Sequence, residues 1–183
     1  MIKNVIGVDP GLKGAIVLIG DFSPVVVPMP VTRHGAKTEF NVKEIYEAVG
    51  ALFIQSFNRD PLELWIEKPG VFPFIEQTCA ACGVVGPPRK SAASSRPQGY
   101  CHGLFEMACA AYDIEFHEIP AKAWQKIMLA GMHGENPKEL SIARATQMYP
   151  EVSLKRTERC RVDDDGIADA PCIATYGQRV INE

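Results

Sequence analysis

Three remote stretches of the chain each set an acid against a run of hydrophobes. Asp9 follows Val5-Ile6-Gly7-Val8, Glu67 follows Leu64-Trp65-Ile66, and Asp163-Asp164-Asp165-Gly166-Ile167-Ala168-Asp169 leads into a third apolar segment. A carboxylate that closes a buried strand loses hydration and must find a compensating partner. Asp165 and Asp169 are four positions apart, so on a helix they share one face. If the strand ending at Glu67 lies parallel beside the strand ending at Asp9, both acids reach the same edge of the sheet. The helical pair can then be laid against them. Four carboxylates at one place repel one another unless cations stand between them. Oxygen-only ligands suit the hard cations Mg²⁺ or Mn²⁺, and two such ions about 3.5–4 Å apart clamp a phosphodiester for in-line attack by water. Each acid taken singly has an ordinary role as well. Asp9 before Pro10-Gly11 can start a turn, Asp163 and Asp164 can interact with a helix dipole as an acidic cap, and Glu67 can pair with a lysine. Three segments aimed at one corner are harder to explain in that way.

The elements that must position these acids show in the hydrophobic pattern. Residues 2–8, 14–20 and 23–29 read as three Val- and Ile-rich strands joined by Gly-containing turns, an antiparallel meander. Asn41 and Glu44 have the spacing of an N-cap and its capping-box acid, and Ile45, Val49, Leu52, Phe53 and Phe57 follow at helical spacing to about residue 58. The segment LELWIEKP at 62–69 predicts a buried strand after a helical crossover, which favours parallel pairing with an earlier strand. Helices are predicted over 98–112, 120–129, 136–149 and 166–179, with a fifth strand at 114–119. Between 69 and 97 the composition turns to Pro, Gly, Ser, Arg and Lys, and so long a connector is functional or mobile. Three antiparallel strands followed by two strands with helical crossovers is the layout of the ribonuclease H-like fold. The expectation is therefore an α/β class with a mixed five-stranded sheet, in one domain over 1–183.

Length and composition bound the function classes. A chain of 183 residues, 46% apolar and 22% charged, suits one globular domain with its own core. No apolar run approaches the roughly 18 residues of a membrane helix, and the first residues lack the basic-then-apolar pattern of a secretion signal, so a cytosolic location is expected. Six cysteines then read as reduced thiols. Cys79 and Cys82, with Cys101 and His102, suggest zinc as the alternative, but adjacent Cys101 and His102 make tetrahedral ligation awkward. The net charge of −3 argues against a protein that coats nucleic acid. Even so, Lys and Arg gather in the second half, including Arg89, Lys90, Arg96, Lys122, Lys126, Lys138 and Arg144. A local patch for a polyanion and an ordinary solvated surface both fit that distribution.

The segments IGVDPGLKGAIVLI, WIEKP, IPAKAWQKIM and DDDGIADAPCIA resemble, in that order, the motifs of RuvC-type Holliday junction resolvases, particularly their phage and organellar branch. The likeness spans most of the chain. It implies a homodimer that nicks two symmetry-related strands of a four-way DNA junction, using Mg²⁺ and leaving ligatable ends, in the cytoplasm of a bacterial host if the gene is viral. Carried onto matching positions, Asp9 would bridge the metals while Glu67 and Asp169 complete the site. In the bacterial branch the remaining acid precedes the last by three positions, which here is Gly166. Asp165, one step earlier, matches the D-G-x-A-D form of the other branch, with Asp164 in reserve. The resemblance also implies that Lys126 and Lys138 lie near the phosphate. Some relatives carry a base-stacking aromatic three residues after the Glu67 position; that position here is Gly70, leaving the role to Phe72 or Phe74. The 69–97 loop, with Arg89, Lys90 and Arg96, is expected to reach the junction centre, and Lys122 to contact the DNA backbone. Two further readings fit the same acids or fold: a non-catalytic branched-DNA-binding module, and a ribonuclease H-like nuclease for flaps or RNA–DNA hybrids. An actin-like ATP-binding protein also shares the GVDPGLKGAIVL hairpin, but such proteins need two lobes and this chain has room for one.

Overall fold

The strand that ends at Asp9 is apolar on both faces, as a central strand covered by helices must be. In the computed structural model, which describes residues 3–56, 61–69, 77–78, 82, 85–86, 92–134 and 136–182 (backbone alone for 77–78, 85–86 and 92–96), this strand is β1 (Asn4–Val8). β2 (Ala15–Gly20) and β3 (Phe22–Pro28) continue from it as an antiparallel meander. A two-stranded hairpin follows, β4 (Val31–His34) with β5 (Lys37–Phe40), and then α1 (Val42–Ser56). β6 (Leu62–Lys68) pairs parallel with β1. Two short strands, β7 (Gln77–Thr78) and β8 (Val85–Gly86), precede α2 (Ala92–Tyr112). β9 (Glu115–Pro120) pairs parallel with β6, and α3 (Ala121–Met128), α4 (Pro137–Met148) and α5 (Asp165–Asn182) complete the chain. The main sheet has the order β3-β2-β1-β6-β9, the mixed five-stranded arrangement expected.

Two hydrophobic layers sandwich this sheet. On one face Ile6, Val8, Ile16, Leu18, Leu64 and Ile66 pack with Ile45, Val49 and Leu52 of α1 and with Cys101 and Phe105 of α2. On the other, Val5, Val17, Ile19 and Trp65 pack with Trp124 of α3, Ala145 of α4 and Ile167, Ala170, Ile173 and Ala174 of α5. Because side chains alternate along a strand, Gly7 and Asp9 share the α5 face with Val5, and Glu67 shares it with Trp65. Gly7 is the position that allows α5 to come so near. A Cβ there would lie 2.4 Å from the Ala170 carbonyl oxygen and 2.5 Å from the Ala174 nitrogen, both rigid backbone.

The structure departs from the sequence pattern in three places, one of them the short antiparallel β7–β8 pair inside the stretch expected to be loop. The β4–β5 hairpin was not expected, because its residues are largely polar and exposed; Gly35, at φ 60°, supplies its turn. α2 begins at Ala92, inside the stretch expected to be loop, and carries Pro97 near its start, where only one interior hydrogen bond is lost. The Asn41 cap is as expected, its Oδ1 accepting from Glu44 N at 3.2 Å. Phe57 lies outside the described residues. Among the described residues no helix is long and apolar enough to cross a membrane.

Candidate active site

Register brings the first two acids together. Val8 pairs with Ile66 in the parallel β1–β6 ladder, so Asp9 and Glu67, each the next residue, leave the sheet side by side on the same face. α5 delivers the other two. Its start is fixed by Asp164, whose carbonyl accepts from Ile167 and Ala168 N–H at 3.1 Å and whose Oδ1 accepts from Gly166 N–H at 3.1 Å. The other carboxylate oxygen of Asp164 takes the Arg156 Nε–H at 2.8 Å, and the same guanidinium donates to the Lys13 carbonyl in the β1–β2 turn. Asp164 is thereby committed to capping and bracing, and Asp165 and Asp169 project one turn apart from the helix it anchors. Gly166 explains why no acid stands three positions before Asp169. A Cβ there would lie 2.3 Å from the Lys13 carbonyl oxygen and 3.3 Å from Asp9 Oδ2.

The four carboxylates perturb one another. Burial, then the negative charges of Asp169 and Glu67 and more weakly Asp165, push the Asp9 pKa from 3.8 to about 8; a hydrogen bond from the Gly11 backbone opposes this. Asp9 nonetheless keeps part of its surface open, so an ion can reach it. Burial likewise pushes Asp169 from 3.8 to about 7, with Glu67 and Asp165 adding to the rise and Ser141 and Lys138 opposing it. Glu67 is raised by burial and held back by Trp124, whose Nε1–H donates to Glu67 Oε2 at 2.8 Å. Lys138 Nζ stands 2.7 Å from Asp165 Oδ2, and this hydrogen bond and charge raise the lysine's own pKa. Each acid thus has a donor, the Gly11 backbone for Asp9, Trp124 of α3 for Glu67, and Lys138 and Ser141 of α4 for Asp165 and Asp169, and Lys138 brings a cation into contact with the group. The four side chains offer only oxygen donors, a set that would suit a hard divalent ion.

Not every residue singled out in the sequence joins this corner. Lys122 and Lys126 are exposed on α3, and among the described residues neither forms an ion pair with the four acids. Phe72, Phe74, Arg89 and Lys90 lie outside the described residues, as do Gly70, Cys79 and the side chain of Arg96. Cys101 is buried in the core, while His102 Nε2 lies 2.9 Å from Glu118 Oε1, so these neighbours do not present a joint ligand pair. Sequence reasoning missed Ser141 and Arg156, and noted Trp124 only as a motif residue. It also missed Glu63, Glu115 and His117, whose ligand atoms lie within 4.8 Å of one another, a grouping able to take a metal ion. That group depends on the pairing of Glu63 with Glu115 across β6 and β9, and sits at the strand ends opposite Glu67. Lys3, 3.9 Å from Glu63, and the Trp65 Nε1–H, 3.4 Å from it, already serve its buried acid.

No family model and no curated protein matches the sequence. Among solved structures, the chain is similar to Thermus thermophilus RuvC in complex with a Holliday junction substrate, at 13% identity and a TM-score of 0.56, with 98% of this chain and 96% of that one covered. A second Thermus thermophilus RuvC structure is similar at 18% identity and a TM-score of 0.51, again over 98% and 96% of the two chains. At such identities the likeness is one of fold, and it establishes the ribonuclease H-like architecture of this chain.

Proposed function

We propose that this chain is a structure-selective endonuclease that resolves four-way DNA junctions by divalent-metal-dependent phosphodiester hydrolysis, working as a homodimer that makes paired nicks. The observation that carries the reading is the corner where Asp9, Glu67, Asp165 and Asp169 meet, with burial and mutual repulsion holding Asp9 and Asp169 far above the usual carboxylate range. Such a group is disfavoured without cations, and Lys138 is already drawn to it. The motif order and a fold shared with RuvC structures, one of them in complex with a Holliday junction substrate, support the choice of substrate.

Asp9, coupled to all three other acids, would hold Mg²⁺ or, in its place, Mn²⁺ together with Glu67, Asp165 and Asp169. When bound, two such ions would supply the activation of water and the stabilisation of the leaving 3′-oxygen that phosphodiester hydrolysis needs. The chain's own residues do the rest. Lys138 is exposed and can exchange Asp165 for a phosphate oxygen, offsetting charge that develops there. Lys126 and Lys122 extend the cationic surface along the DNA backbone, with Arg89 and Lys90 doing so from the segment before α2 and Arg96 from the start of α2, and Phe72 or Phe74 stacking at the junction centre. Selectivity comes from two equivalent sites reading strand trajectories rather than bases.

The test is incubation with a mobile four-way junction, with and without Mg²⁺, beside a linear duplex. Symmetry-related nicks in the junction alone, dependent on metal and lost in Asp9→Asn, are expected. Binding without cleavage under any divalent ion would make the chain a junction-binding module. Preferential cleavage of flaps or RNA–DNA hybrids would keep the chemistry and overturn the substrate.

A further inference from the structure

Glu67 receives its hydrogen bond from the interior of the protein. Trp124 is fully buried, and its indole Nε1–H, which can only donate, meets Glu67 Oε2 at 2.8 Å. A buried indole N–H needs an acceptor, but a backbone carbonyl would serve that purpose without a half-buried carboxylate at the edge of the core. The donor is also held rigidly. α3 follows β9 without a break at Pro120, and the β6–β9 ladder pairs Glu67 with Ile119 and Lys68 with Pro120. The strand carrying the acid and the helix carrying the indole are therefore locked in register, and Met128, one turn after Trp124, is buried in the same core. A neutral N–H fixes a carboxylate's orientation without cancelling its charge. A lysine in that place would bring a competing cation to the site.

We infer that Trp124 is a positioning residue for the metal site: its indole N–H holds one oxygen of Glu67, so that the acid offers a divalent ion the other oxygen in a fixed orientation. This rests on the reading of Glu67 as a metal ligand. Partners of this kind, which orient a ligand without touching the metal, typically change metal affinity by 10–100-fold when removed. The N–H itself, rather than the bulk of the ring, is the feature that matters.

The experiment compares wild type, Trp124→Phe, and protein carrying benzothienylalanine at position 124, which keeps the two-ring shape but has sulfur in place of N–H. Mn²⁺ binding is measured by calorimetry on the protein without DNA, with Asp9→Asn as reference, and unfolding temperature is recorded in EDTA. Both variants should bind Mn²⁺ roughly 10–100-fold more weakly than wild type. The Mg²⁺ midpoint for cleavage should move by the same factor, and the rate should recover at saturating Mg²⁺. The benzothienyl protein should show this with little change in unfolding temperature. Unchanged Mn²⁺ affinity in the benzothienyl protein, against a clear difference between wild type and Asp9→Asn, overturns the role of Trp124 alone. Equal Mn²⁺ binding by wild type and Asp9→Asn overturns the metal reading beneath it. If Trp124→Phe fails to fold, the benzothienyl protein still decides.

Discussion

Asp9→Asn should yield a protein that is inactive yet more stable than wild type when metal is absent. The Asp9 carboxyl is pushed from 3.8 to about 8 by burial and by the charges of Asp169 and Glu67. The folded state therefore keeps a proton that the unfolded chain releases, and stability is lost as pH rises from about 4 to about 8. One unit corresponds to about 1.36 kcal/mol, so four units acting alone would cost about 5–6 kcal/mol. Asp169, raised to about 7, shares the same repulsion, and a cost on the order of 3 kcal/mol is the appropriate scale for Asp9. Asparagine removes that charge and keeps an oxygen for the Gly11 backbone N–H. For a chain of this length about 2–4 °C accompanies each kcal/mol, which gives a rise of roughly 6–12 °C in unfolding temperature at pH 8 in EDTA. The gain should shrink steadily as pH falls and approach zero below the ordinary value of 3.8, where Asp9 becomes protonated in both states. Saturating Mg²⁺ should raise the wild-type unfolding temperature and leave the variant's nearly unchanged. Thermal unfolding monitored by circular dichroism at pH 4.5, 6 and 8, with EDTA or Mg²⁺, checks every arm. A variant less stable than wild type at pH 8 in EDTA, or a gain independent of pH, would refute the reasoning.

Four other substitutions probe the same construction. Asp164→Ala removes the cap of α5 and the partner of Arg156, and should lower stability by about 1–2 kcal/mol in urea titrations while metal-dependent cleavage persists. Asp165→Asn should do the reverse, abolishing cleavage in a single-turnover assay with little loss of stability. Lys138→Ala should slow the chemical step roughly 100-fold at saturating Mg²⁺ with junction affinity largely retained, as expected for a group that offsets developing charge. Gly7→Ala forces a methyl against the α5 backbone and should cost about 3 kcal/mol, with Mn²⁺ affinity falling as the helix shifts away from Asp9.

How much of this was legible in the sequence follows from the range of each interaction. β1 and β6 are nearly continuous apolar runs, so their burial and parallel pairing, and hence the meeting of Asp9 with Glu67, could be read from pattern alone. The i, i+4 spacing of Asp165 and Asp169 was equally plain. Choosing between Asp164 and Asp165 was not, because it turns on Arg156 reaching both Asp164 and the Lys13 carbonyl, 143 residues away from it in the chain. Trp124 and Glu67 are 57 residues apart, and a buried tryptophan in a helix is ordinarily just core. The β4–β5 hairpin escaped notice because Arg33, His34, Lys37 and Glu39 show no apolar alternation. Pro97 masked the true start of α2 by its usual effect on helices.

The central claim is that four acids from remote segments form one site for divalent ions. Anomalous diffraction from a crystal soaked in Mn²⁺ tests it most directly. Two peaks about 3.5–4 Å apart, bounded by Asp9, Glu67, Asp165 and Asp169 and lost in Asp9→Asn, are predicted. Manganese found only among Glu63, Glu115 and His117, with none beside Asp9, would contradict it.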